Sequence, residues 1–174
     1  PNSITMLRIL MAPVFVYLLL EFPEPATWQR FLSLFLFVLA ISTDGIDGMI
    51  ARRTDKVTDL GKFLDPVADK VLIGGALLAL SILGEIDWWV TALILIRELA
   101  VTLYRAVVVS KVSLPASLSG KLKTILQGVA IGVVLAPFEV WFPLWSLFEQ
   151  LTVYLAVAAT VISGISFFVS VSKK

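Results

Sequence analysis

"TDGIDGMIARRTDKVTDLGKFLDPVADK", residues 43–70, holds six of the seven aspartates of a 174-residue chain that is otherwise 59% hydrophobic and only 16% charged. A mean hydropathy of +0.96 lies far outside the balance of soluble domains, so the chain reads as a membrane protein. A charged side chain at the centre of a membrane helix costs about 2.5–3.5 kcal/mol on insertion scales. Six aspartates in one short stretch therefore call for a compensating partner, and the hydrophobic runs around them show where it would lie.

A bilayer-spanning helix needs about 20 mostly apolar residues at 1.5 Å each. Runs of this length fall at roughly 4–21, 29–52, 60–83, 87–110, 119–137 and 146–170. The expected fold is an all-α integral membrane protein with six transmembrane helices in one domain spanning 1–174, neighbours packing antiparallel across short connections. The apolar run after Arg8 lacks an A-x-A-like cleavage site and is followed by further hydrophobic segments, so a membrane helix is expected there and not a signal peptide. Pro1 has no initiator methionine before it, and removal of a few preceding residues is expected.

Basic residues set the expected orientation. Arg8 lies near the N-terminus, Arg52, Arg53, Lys56 and Lys62 surround the second connection, Lys111, Lys121 and Lys123 surround the fourth, and Lys173 and Lys174 end the chain. The odd connections carry Glu21, Glu24, Glu85, Asp87, Glu139 and Glu149, with Arg30 as their one basic residue. Both termini are thus expected in the cytoplasm. Trp28, Trp88, Trp89, Trp141 and Trp145 all fall in or beside the odd connections, where an outer interfacial aromatic belt would place them; core tryptophans are the alternative.

Composition narrows the chemistry. A net charge of +1 provides no basic field for nucleic acid. Cysteine and histidine are both absent, which removes disulfides and thiolate or imidazole ligands, and leaves a carboxylate as the expected general base, ahead of lysine or tyrosine.

With the turn centred on residues 54–58, Asp44 and Asp47 lie near the cytoplasmic end of the second helix, and Asp65 and Asp69 near the cytoplasmic start of the third. At 100° per residue, Asp44, Asp47, Gly48, Ala51 and Arg52 share one side of their helix, while Gly61, Asp65 and Asp69 follow i, i+4, i+8 spacing on theirs. Four mutually repelling carboxylates with only oxygen donors suit hard divalent ions such as Mg²⁺ or Mn²⁺, and can hold two of them about 3.5–4 Å apart. Structural ion pairs with Arg52, Arg53, Lys62 and Lys70 are the alternative. Gly48, Ala51 and Gly61 remove bulk beside the carboxylates, for close helix packing or for a ligand. Asp55 and Asp59 read as solvated charges of the polar turn.

The pattern Asp44-x-x-Asp47-Gly48-x-x-Ala51-Arg52, eight residues, Gly61-x-x-x-Asp65-x-x-x-Asp69 resembles the signature of the CDP-alcohol phosphotransferases at every fixed position. That resemblance implies six membrane helices, a homodimer, and transfer of a phosphoalcohol unit from a CDP-linked donor to an alcohol with release of CMP. It further implies that Asp44, Asp47, Asp65 and Asp69 hold two divalent ions on the donor pyrophosphate, that Gly48, Ala51, Arg52 and Gly61 accommodate the cytidine nucleotide, and that Asp69 is the general base. Such a site suits CDP-diacylglycerol, whose acyl chains stay in lipid while the nucleotide and a soluble acceptor arrive from the cytoplasm.

Further cations bear on the acceptor. "IRELAVTLYR" places Arg97 and Arg105 eight residues apart with Glu98 alongside, and "SGKLKT" places Lys121 and Lys123 at the start of the fifth helix. These could bind a phosphate. Positive-inside anchoring is the alternative for Arg105, Lys121 and Lys123, and an Arg97–Glu98 structural pair for Arg97. "PNSITMLRI", "IRELAVTLYR" and "GKLKTILQ" are similar to a bacterial subgroup of the family whose acceptor is glycerol 3-phosphate. By that resemblance Asn2, Thr5 and Arg8 approach the donor's nucleotide or phosphates, and the helix 4 and 5 cations approach the acceptor; the enzyme would lie in the bacterial cytoplasmic membrane with its site facing the cytoplasm. Family members with other acceptors (inositol phosphate, serine or phosphatidylglycerol) share the aspartate signature. A divalent-cation transporter would instead distribute carboxylates across the membrane or repeat them in inverted halves, and neither pattern is present.

Overall fold

Each apolar run forms one helix in the computed structural model: α1 (Asn2–Glu21), α2 (Trp28–Thr54), α3 (Asp59–Ile82), α4 (Trp88–Val108), α5 (Leu118–Leu135) and α6 (Trp145–Ser172). The structure describes residues 2–22, 28–54, 59–108, 118–139 and 141–172, excluding the side chains of 2–5, 7, 44–54, 59–66, 106–108 and 118. No strand occurs among the described residues. The helix limits fall within two residues of those expected.

Local chemistry sets several ends. Gly84, with φ of 77°, closes α3: its N–H donates to the Ser81 carbonyl and that of Glu85 reaches back to Leu80, the paired bonds of a Schellman motif. Asp87 precedes α4, its carbonyl accepting from the N–H groups of Val90 and Thr91. Pro137 stops α5 two residues early, since the residue before a proline is disfavoured in helix. Asp59, expected in the turn, is the first residue of α3, a position where carboxylates are favoured by the helix dipole.

α1 packs on α2 and α3, α5 joins α2 to α6, and α4 lies against α3 and α6. Between them Phe15, Leu19, Phe37, Leu72, Leu80, Ile131 and Leu135 form a buried centre, with the Phe15 and Phe37 rings 5.7 Å apart. The interior is also polar. Ser81 Oγ and Thr91 Oγ1 are 2.7 Å apart between α3 and α4, and Gln127 Nε2 donates to Thr160 Oγ1 at 2.9 Å between α5 and α6.

The outer surface is the reverse. Leu10, Phe35, Ile82, Ile96, Ile125 and Ile165, one from each helix, are at least 60% exposed, a belt that water would penalise heavily. Among the described residues α6 is the one helix long and apolar enough to cross a membrane by length and composition, with a mean hydropathy of 2.0. α4 carries Arg97, Glu98 and Arg105 within its 21 residues; Arg97 and Glu98 are partly buried and Arg105 is exposed.

Side-chain bonds mark one end of the bundle. Arg30, at the start of α2, donates through Nε to the Leu135 carbonyl at 3.2 Å and through Nη2 to the Val134 carbonyl at 3.1 Å and to Glu85. The start of α2 thus meets the ends of α3 and α5. Four of the tryptophans, Trp28, Trp88, Trp89 and Trp141, are exposed at this end, and Phe138 stacks edge-on against Trp145 with centroids 5.0 Å apart. Asp69 lies 16 residues before Glu85, so the first half of α3 belongs to the other end, about 20 Å or more along the helix axis.

Candidate active site

Asp44, Asp47, Gly48, Ala51 and Arg52 occupy the last three turns of α2, and Gly61, Asp65 and Asp69 the first three of α3. Four residues separate the two helices, so the end of α2 and the start of α3 lie toward the same end of the bundle. Among the four motif aspartates, Asp69 is the one whose side chain is described; those of Asp44, Asp47, Asp65, Gly48, Ala51, Arg52 and Gly61 lie outside the described residues, as does Asp55 altogether. Asn2 and Thr5 stand in the first turn of α1, their side chains likewise outside the description.

Asp69 is partly buried and lies near enough to Lys123, on the first turns of α5, for its charge to act on the ammonium group. Lys123 is 5% exposed. Its Nζ donates to Glu98 Oε1, and the same oxygen accepts from Arg97 Nη1 at 3.0 Å. Arg97 Nη2 then donates to Ser163 Oγ on α6 at 2.8 Å, while its Nε is buried and without a partner among the described residues. Gly164 stands beside this guanidinium, where a Cβ would lie 3.6 Å from Nε. The Arg97–Glu98 pair allowed by the sequence is therefore present, and it belongs to a larger group drawn from α4, α5 and α6.

Arg8 is 2% exposed, and its Nε donates to the Ala40 carbonyl at 3.0 Å. Ala40 precedes Asp44 by one helical turn, which brings a buried guanidinium to the part of α2 that leads into the motif. Arg105 and Lys121 are exposed. The Arg105 guanidinium lies 5.4 Å from the Phe167 ring centroid, a cation–π arrangement, so the structure joins Arg97 to Lys123 but not to Arg105 or Lys121.

No group of three or more metal-binding side chains occurs among the described residues, and Asp69 is the sole motif aspartate whose side chain is described. The carboxylates that the sequence offers there, Asp44, Asp47, Asp65 and Asp69, have the oxygen-only chemistry that a hard divalent ion takes. A cavity of about 600 Å³ lies at the opposite end, lined by Arg30, Glu85, Glu139 and Glu149; it is remote from Asp69.

Three connections in this site were invisible to sequence reasoning. Glu98 as the shared acceptor, Ser163 as the anchor of Arg97 and the buried Gln127–Thr160 bond join residues 25, 66 and 33 positions apart. The available signal was chemical: charged residues within or beside long apolar runs, Glu98 and Lys123 among them, had to find partners.

The described residues thus form a helical bundle with an apolar exterior and charged groups inside, and the aspartate motif spans two consecutive helices of it. The chain belongs to the CDP-alcohol phosphatidyltransferase family, which it matches over residues 1–165. Members of this family generally use divalent metal ions. The chain is 46% identical over 138 residues to a probable phosphatidylglycerophosphate synthase of Mycobacterium tuberculosis strain H37Rv, covering 79% of this chain and 66% of that protein, just under two thirds of its length. It is 37% identical over 185 residues to the CDP-diacylglycerol–glycerol-3-phosphate 3-phosphatidyltransferase of Bacillus subtilis strain 168, covering 97% and 92% of the two chains. The Escherichia coli K12 protein of the same name is 37% identical over 147 residues, covering 81% and 79%.

Proposed function

We propose that this chain transfers the phosphatidyl group of CDP-diacylglycerol to glycerol 3-phosphate, forming phosphatidylglycerophosphate and CMP. The observation that carries the reading is the buried group in which Glu98 accepts from both Lys123 and Arg97, cations suited to a phosphorylated acceptor, with the charge of Asp69 within electrostatic reach of Lys123. The names of the Bacillus and Escherichia relatives support the same donor and acceptor.

Asp44, Asp47, Asp65 and Asp69 would hold two divalent ions, Mg²⁺ or Mn²⁺. When bound, such ions neutralise charge on the pyrophosphate and on the departing CMP. Asn2, Thr5, Arg8, Gly48, Ala51, Arg52 and Gly61 bind the nucleotide and phosphates of the donor. Arg97 and Lys123, with Arg105 and Lys121 at the rim, draw in the acceptor's phosphate. Asp69 takes the proton of the acceptor hydroxyl as that oxygen attacks the phosphorus bearing the diacylglycerol. The bond from that phosphorus to the CMP oxygen breaks, and CMP leaves with the electron pair.

We place residues 1–174 in the membrane as one domain of six spanning helices, both termini and the active site facing the cytoplasm, in the bacterial cytoplasmic membrane and as a homodimer. The apolar belt drawn from all six helices supports the embedding, and the exposed tryptophans at the Arg30 end support the outward direction of that end.

The test is to incubate the purified protein with CDP-diacylglycerol, Mg²⁺ or Mn²⁺, and glycerol 3-phosphate, inositol phosphate, serine or phosphatidylglycerol in turn, measuring CMP and the lipid formed. Phosphatidylglycerophosphate from glycerol 3-phosphate alone is expected. Product from another acceptor only would reassign the enzyme within its family, and ion flux without CMP formation would make it a transporter.

A further inference from the structure

We infer that Glu98 is a positioning residue for the acceptor's phosphate: it spaces the Lys123 and Arg97 cations for a phosphate monoester at the cost of part of their attraction. The inference rests on the proposed reaction and deepens it.

Lys123 and Arg97 are like charges in a partly buried setting, and alone they would repel. A lysine also carries its charge on a flexible four-carbon stem. Both limits are met by one atom, Glu98 Oε1, which accepts from Lys123 Nζ and from Arg97 Nη1. Two hydrogen bonds to a shared oxygen set the separation of the two nitrogens. Ser163 fixes the other side of the guanidinium by accepting from Nη2, so Arg97 is oriented from α4 and α6 together.

This arrangement leaves one donor unsatisfied. Arg97 Nε–H is buried and has no partner among the described residues, and Gly164 puts no side chain beside it. A phosphate oxygen is the chemistry that satisfies such a donor. The charge on the group is also informative. Arg97 and Lys123 less Glu98 leave +1, where removal of Glu98 would leave +2. Were attraction the whole matter, Glu98 would hinder an anionic acceptor.

That opposition makes the test decisive. Glu98→Ala, Glu98→Gln and wild type are compared for the KM of glycerol 3-phosphate and the KM of CDP-diacylglycerol, with thermal unfolding in detergent to confirm folding. Positioning predicts an acceptor KM raised about tenfold or more in Glu98→Ala, a smaller rise in Glu98→Gln, whose amide oxygen still accepts from both cations, and a donor KM within about twofold of wild type. Ser163→Ala is expected to raise the acceptor KM in the same direction. An acceptor KM that falls or stays unchanged in Glu98→Ala overturns the inference, as does an equal rise for donor and acceptor. If the wild type uses a different phosphorylated alcohol, the proposed acceptor falls and the Glu98 comparison is read on that alcohol's KM. Turnover with an unphosphorylated alcohol only, or with none, overturns both.

Discussion

Arg30 and Glu85 lock the end of the bundle remote from Asp69. The Arg30 guanidinium, with 3% of its side chain exposed, pairs with Glu85 while donating to the last carbonyls of α5. Those carbonyls have no partner within their own helix. One side chain thereby ties together the start of α2 and the ends of α3 and α5.

Arg30→Ala should accordingly lower stability by about 3 kcal/mol or more, because it strands a partly buried carboxylate and two helix-end carbonyls. Thermal unfolding in detergent would measure the loss. CMP release per folded molecule should stay near wild type, as the lock lies at the other end from Asp69.

Asp69→Asn keeps the size of the side chain but cannot take a proton. A fall in CMP release of at least about 10²-fold is expected, with the unfolding temperature close to wild type. Near-normal turnover would remove Asp69 from the base role. Chelation by EDTA should also abolish wild-type CMP release, with activity restored by Mg²⁺ or Mn²⁺.

Because the chain contains no cysteine, any introduced cysteine is a unique label site. Trp141→Cys, at the tryptophan-rich end, should react with a membrane-impermeant maleimide in intact cells; Ser172→Cys, at the end of α6, should react only after lysis. The opposite pattern would invert the proposed orientation.

Gln127 and Thr160 form a buried bond between α5 and α6. Gln127→Leu alone or Thr160→Val alone should each destabilise by about 1–3 kcal/mol, since a buried polar group loses its partner. The double variant should cost less than the sum of the two, a difference readable in the same unfolding experiment.

Glycines should separate by their neighbours. A Cβ at Gly75 would come 3.2 Å from Val16 Cγ2, whereas one at Gly132 would meet nothing within 4 Å. Val16 is β-branched and stiff, so Gly75→Ala should cost about 1 kcal/mol or more through overpacking, and Gly132→Ala should be tolerated.

Much of this was legible along the chain because the signals are local. Twenty-residue apolar runs, Gly84 and Asp87 at helix ends, and the motif of Asp44, Asp47, Asp65 and Asp69 all depend on neighbours within a few turns. The facing of the helices was not legible in the same way. In a protein whose exterior is as apolar as its core, the hydrophobic pattern scarcely distinguishes Leu72, which is buried, from Val71, which is exposed.

The sequence by itself determined six helices, the paired aspartates and the division of basic and aromatic residues between two ends, since hydropathy, spacing and charge are properties of short segments. Tertiary structure alone decided that Lys123 and Arg97 meet on Glu98 with Ser163 behind them, while Arg105 turns outward to Phe167. Each isolated polar group had to find a partner away from water. Which partner it found depended on how α4, α5 and α6 rotate against one another, and helix packing settles that across the whole bundle.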